Sequence, residues 1–76
     1  MPKLPVISGD EALRAFERAG WEFKRQKGSH MVLTKPGSLV TLSIPRHKTL
    51  DRGLLRALIR DAGLSVDEFC RFLGKE

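Results

Sequence analysis

Two helix-starting signals near the ends of the chain confine the fold more than any other feature. Ser8-Gly9-Asp10-Glu11 and Ser65-Val66-Asp67-Glu68 both read S-x-x-E. This is the capping box, in which a serine side chain and a glutamate three residues on each satisfy an orphan backbone N–H. The first box predicts a helix with Ala12, Leu13, Phe16 and Ala19 on one stripe, Glu17 and Arg18 on the wet side, and Gly20 at its end. The second predicts a short last helix carrying Val66, Phe69, Cys70 and Leu73, with Leu64 and Phe69 placed as a hydrophobic staple. A third helix is expected over residues 49–63. There Leu54, Leu55, Leu58, Ile59 and Ala62 share one face, Arg52, Arg56 and Arg60 another, and Gly63 stands where a left-handed C-cap belongs.

The segment between the first two helices has a different period. Residues 21–26 alternate apolar and polar and read as a half-buried strand, followed by a turn at Lys27-Gly28-Ser29. Residues 30–35 are rich in strand formers, Pro36-Gly37-Ser38 signals a reversal, and residues 39–44 form a third strand stopped by Pro45. Such short connections imply an antiparallel meander. Strand phase places Val40, Leu42 and Ile44 with Met31 and Leu33 on the core face, and His30, Val32 and Thr34 on the other. A bulge at Gly28 would reverse that assignment. The expected order is α-β-β-β-α-α, an α+β fold with a three-stranded antiparallel sheet and its helices on one face.

At 76 residues the chain has room for one domain, 1–76, which buries only about 60% of its unfolded surface. Any active site must therefore be shallow. Apolar runs fall far short of the roughly 20 residues that span a bilayer, and no apolar signal core follows Met1, so a cytoplasmic protein without a membrane partner is expected. The single cysteine, Cys70, excludes an intramolecular disulfide and a cysteine-rich zinc site, and its place on an apolar stripe predicts a buried structural thiol.

The net charge of +5 is unevenly spread. Between Phe23 and Leu50 stand Lys24, Arg25, Lys27, Lys35, Arg46 and Lys48, two histidines and no acidic residue. Backbone phosphates are the commonest ligand for such a surface, and a merely solvated strand region is the competing reading. The Arg52/Arg56/Arg60 stripe is weaker evidence, since exposed arginines are good helix formers.

Little else in the chain can react. It has no tyrosine, no phosphate-binding glycine loop, no H-E-x-x-H and no carboxylate pair suited to glycoside chemistry. His30 and His47 lack the companions of a metal site. An unperturbed imidazole titrates near pH 6.5 and can both accept and donate a proton at neutral pH. RNA supplies its own nucleophile, the 2′-hydroxyl, so a lone histidine among cations suits RNA cleavage without a metal or other cofactor. Gly28 permits close backbone approach or a left-handed turn, and Ser29 can hydrogen-bond a phosphate. The structural alternative for this stretch is an ordinary hairpin turn bearing a surface histidine.

Several stretches together resemble the HicA-type (YcfA-like) mRNA interferase toxins over nearly the whole chain. They are Ala19-Gly20-Trp21, Arg25-Gln26-Lys27-Gly28-Ser29-His30, Ile44-Pro45-Arg46-His47, Gly53-Leu54-Leu55-Arg56-Ala57-Leu58-Ile59 and Asp61-Ala62-Gly63-Leu64-Ser65. The resemblance implies a fold like the double-stranded-RNA-binding domain and a type II toxin that cleaves mRNA, with His30 as catalytic residue. It also implies a HicB-like antitoxin that covers the active site and through which DNA is bound. Gly53-Leu54 departs from the family's more usual Gly-Thr, which bears on helix capping and not on the chemistry. In this reading Lys24, Arg25, Lys27, Gly28, Ser29, Arg46, His47 and Lys48 hold RNA, and either His47 or a water makes the second proton transfer. A non-catalytic RNA-binding module with the same basic surface is the alternative, and a small basic protein that binds an acidic partner is a third.

Overall fold

A computed structural model describes residues 4–74. Both capping boxes close. Ser8 Oγ accepts the Glu11 amide at 3.1 Å and Glu11 Oε1 the Ser8 amide at 3.0 Å, starting α1 (Gly9–Arg18). Ser65 and Glu68 exchange the same pair of bonds at 3.1 and 2.9 Å, starting α3 (Val66–Leu73). The Ser65 amide, and then its hydroxyl, hold the Glu68 carboxyl below the usual glutamate range. Between them, α2 (Arg52–Asp61) begins three residues later than its periodicity suggests. The Asp51 carboxylate accepts the Leu54 amide at 3.1 Å, which makes Asp51 the N-cap and leaves residues 49–51 outside the helix. Leu50 and Leu55, the residues before the cap and four after it, are both buried, as in a hydrophobic staple. Gly63, with φ +76°, ends α2, and the Leu64 amide reaches back to the Ile59 carbonyl at 3.1 Å.

The strands β1 (Glu22–Lys27), β2 (His30–Thr34) and β3 (Leu42–Pro45) form one antiparallel sheet in the order β1-β2-β3. Met31 pairs with Ile44 and Leu33 with Leu42, and all four side chains are buried. They share one core with Ala12, Ala15 and Phe16 of α1, Leu55, Leu58 and Ile59 of α2, and Phe69 of α3. All three helices therefore lie on that face. Phe16 and Phe69 join α1 to α3, with ring centroids 5.0 Å apart and planes tilted by 47°. The α-β-β-β-α-α order and the one-sided packing agree with the sequence reading.

Four local expectations need correction. Val40 is 40% exposed and outside β3, not on the core face. After the reversal at Pro36-Gly37, the Ser38 amide bonds the Lys35 carbonyl at 3.0 Å and Ser38 Oγ takes the Val40 amide at 3.1 Å. Those local bonds compete with the ladder, which begins only at Leu42. β1 is exposed along its length, not half-buried, and its phase breaks at a bulge between Phe23 and Arg25. Trp21, just before β1, is the buried aromatic of this region. Leu54 falls in the first turn of α2 and is 37% exposed, and Cys70 is half-buried rather than buried.

Candidate nucleic-acid interface

The turn that presents His30 is set by two residues. Lys27 pairs with His30 across the hairpin, so Gly28 and Ser29 form a two-residue loop. Gly28 has φ +61°, and no residue other than glycine has a positive φ among those described. A positive φ at the first of two loop positions is the pattern of a type II′ turn, whose twist matches the flanking strands and which favours glycine there. No bulge forms at Gly28; the irregularity lies at Lys24, so the predicted phase of β2 holds. His30 is exposed, and its neighbours Met31 and Leu33 point to the core.

Cross-strand pairing then fixes what shares the face of His30. Directly paired residues lie on the same side of a sheet, their Cβ atoms about 4.5–5.5 Å apart. Lys27 pairs with His30 and Arg25 with Val32, so two cations on β1 flank the histidine on the helix-free face. On β3, Ser43 pairs with Val32 and Pro45 with His30. Lys27, Arg25 and Ser43 are exposed and Val32 is half-buried. This is an open surface rather than a pocket, as a polymer lying across a sheet requires. An open concavity of about 530 Å³ lies elsewhere, between α2 and α3, lined by Arg56, Ala57, Ile59, Arg60, Leu64 and Val66 among others.

The remaining candidates divide. Lys24, at the bulge, is paired with Glu22 at 2.9 Å on the exposed edge. His47 and Lys48 are exposed in the loop after β3. That loop is tied to the start of α1, because Gly9 N–H donates to the His47 carbonyl at 2.9 Å and Leu50 N–H to the Ile7 carbonyl at 2.8 Å. Arg46 lies apart from the His30 face. Alternation along β3 places it on the side of Ile44, where its Nε is 3.3 Å from Asp10 Oδ1 and its Nη1 donates to Gln26 Oε1 at 3.3 Å. The sequence reading gave Asp10 and Gln26 no part in the site. No local pattern marks them, since both contacts join segments distant in the chain. Among the described residues no three His, Cys, Asp or Glu side chains gather as a metal site would.

The family model for the HicA toxin of bacterial toxin-antitoxin matches residues 9–64, well over half of the chain. This chain belongs to the HicA toxin family. The match runs from the first residue of α1 through the hairpin to the residue before the α3 cap, and so includes every residue of the surface described above. It leaves out α3, which is nonetheless fixed to the matched part by Phe69 against Phe16. No curated protein matches the chain at a significant level. Membership makes the protein the toxin of a toxin–antitoxin pair and implies a HicB-type antitoxin as partner. No helix among the described residues is long and apolar enough to cross a membrane.

Proposed function

We propose that this HicA-family toxin is an endoribonuclease that cleaves mRNA without a metal ion, with His30 as its general acid/base. The observation that carries the reading is the position of His30: exposed on the helix-free face of the sheet, with Lys27 directly across from it and Arg25 two pairs further along β1 on the same face. In the proposed reaction a base removes the proton of a ribose 2′-hydroxyl, and O2′ attacks the adjacent phosphorus. The bond from phosphorus to O5′ breaks, and an acid protonates the departing 5′-oxygen. Phosphorus keeps its oxidation state, and the products are a 2′,3′-cyclic phosphate and a 5′-hydroxyl. One imidazole in one protonation state performs one of the two transfers, and His47 or a water performs the other. Lys27 and Arg25 hold the phosphates on either side, Ser29 and the Gly28 backbone help seat the scissile one, and Lys24, His47 and Lys48 extend the cationic track. Such contacts position a strand without identifying its bases. The antitoxin would inhibit by covering this face, and any contact with DNA would come through it.

The termini of the products test the chemistry. RNA incubated with the protein and a chelator should yield fragments ending in 2′,3′-cyclic phosphate and beginning with 5′-hydroxyl, read by mass spectrometry. A substrate with a 2′-deoxy sugar at the cleavage position should stay intact. Fragments carrying 3′-hydroxyl and 5′-phosphate, or cleavage that ceases with chelator, would overturn the proposal. Tight, salt-sensitive binding with no cleavage would favour a binding module.

A further inference from the structure

Arg46 is bound into the fold at both ends. Its backbone amide donates to the Ser29 carbonyl at 2.7 Å. Its guanidinium spans Asp10 Oδ1 in the first turn of α1 and Gln26 Oε1 at the end of β1, each at 3.3 Å. Gln26 Nε2 in turn donates to the Gly28 carbonyl at 3.0 Å. Both carbonyls of the loop before His30 are therefore held, one by Arg46 directly and the other through Gln26. The chain of contacts runs Asp10, Arg46, Gln26, Gly28, and it approaches the turn from the helix side, while the imidazole belongs to the opposite face. A close backbone seam supports it: a Cβ at Gly9 would overlap the Pro45 carbonyl oxygen, so the start of α1 lies directly against the end of β3.

We propose that Asp10 and Arg46 are positioning residues that fix the Gly28-Ser29 turn, and with it His30, rather than residues that contact RNA. The Arg46 and Asp10 side chains are 54% and 43% exposed, so the ion pair adds little to global stability. Its effect is on where the turn sits. A planar guanidinium can satisfy two acceptors at once in fixed geometry, whereas an ammonium cannot. With its charge offset by Asp10, Arg46 also has less attraction left for a phosphate. The inference rests on the ribonuclease reading for its catalytic consequence, but the pinning of the turn can be measured without RNA.

The test uses Asp10→Asn and Arg46→Lys in the full chain, with kcat and KM measured on one RNA. Displacing a catalytic group by about 1 Å can cost up to about 100-fold, and each variant should lose about tenfold in kcat with KM within about twofold. Melting temperature should be unchanged, and the double variant should be no worse than the weaker single, as residues acting through one contact require. Amide exchange should quicken at Arg46, and the Ser29 and His30 resonances should shift, with no RNA present. A phosphate-contacting Arg46 makes the opposite forecast: Asp10→Asn frees the cation, tightens RNA binding and spares kcat, and Arg46→Lys is nearly silent. Either that pattern or unaltered amide exchange would overturn the proposal. If the native protein cleaves no RNA, the ribonuclease reading fails, and the exchange measurement alone then decides whether Asp10 and Arg46 hold the turn.

Discussion

Two glycines do different work near the site, and substitution separates them. At Gly28 a Cβ would meet nothing within 4 Å, so Gly28→Ala adds no clash and is costly only through the backbone angle of +61°. An L-residue in that sparsely populated backbone region costs about 1–3 kcal/mol, and the hairpin can relieve it only by re-aiming the turn. Gly28→Ala should thus lower the urea midpoint modestly and reduce RNA cleavage more than the stability loss alone accounts for. Gly9 has no positive φ; its constraint is the Pro45 carbonyl against it. Alanine is favoured over glycine in a helix by about 0.5–1 kcal/mol, whereas overpacking costs about 1–3 kcal/mol. The clash is the larger effect, so Gly9→Ala should lower the urea midpoint. A midpoint that rises would show that α1 can move away from β3 at little cost.

Among the elements, the helix caps give a pH-dependent prediction. Glu68 accepts the Ser65 amide as a carboxylate, and its pKa lies below the ordinary glutamate value of about 4.3. A depressed carboxylate pKa contributes stability that is present above the unfolded value and is lost as pH falls through the folded one. Glu68→Gln keeps an acceptor for that amide but does not titrate, so its deficit relative to the native chain should shrink as pH falls below about 4.3. A deficit that is constant with pH would contradict the cap assignment. Removing the hydroxyl with Ser65→Ala should cost about 1 kcal/mol, read as a lowered melting temperature. Caps were also what made the helices legible: S-x-x-E marks α1 and α3 directly, because both partners sit in one short word of sequence. Asp51 caps α2 through a single bond to the Leu54 amide, yet the apolar pattern runs through Leu50 and hides the boundary. Val40 misleads in the same way, since alternation continues from Leu39 to Ile44 while Ser38 and Lys35 hold its first part in a loop. The face of His30 was legible because it follows from β2's own alternation. The Asp10–Arg46–Gln26 contacts were not, because they depend on which segments the fold brings together.

For the molecule as a whole, charge and packing are divided between the two sides of the sheet. The helices take up Met31, Leu33, Leu42 and Ile44, and the other face is left to His30, Lys27, Arg25 and Ser43. If RNA lies across that face, Lys27→Ala should weaken binding and reduce the slope of log K against log salt by about 0.7, the share of one phosphate contact on a single strand. A slope equal to that of the native protein would move the RNA track off the sheet. The most direct test is the single-turnover rate of RNA cleavage by His30→Ala and by native protein, with chelator present and thermal melts alongside. Because the ring is exposed, the variant should melt close to the native temperature. Positioned acid–base groups typically contribute about 10²–10⁴-fold, so cleavage should fall by at least about 100-fold. A folded His30→Ala protein that cleaves within a few-fold of the native rate would contradict the account.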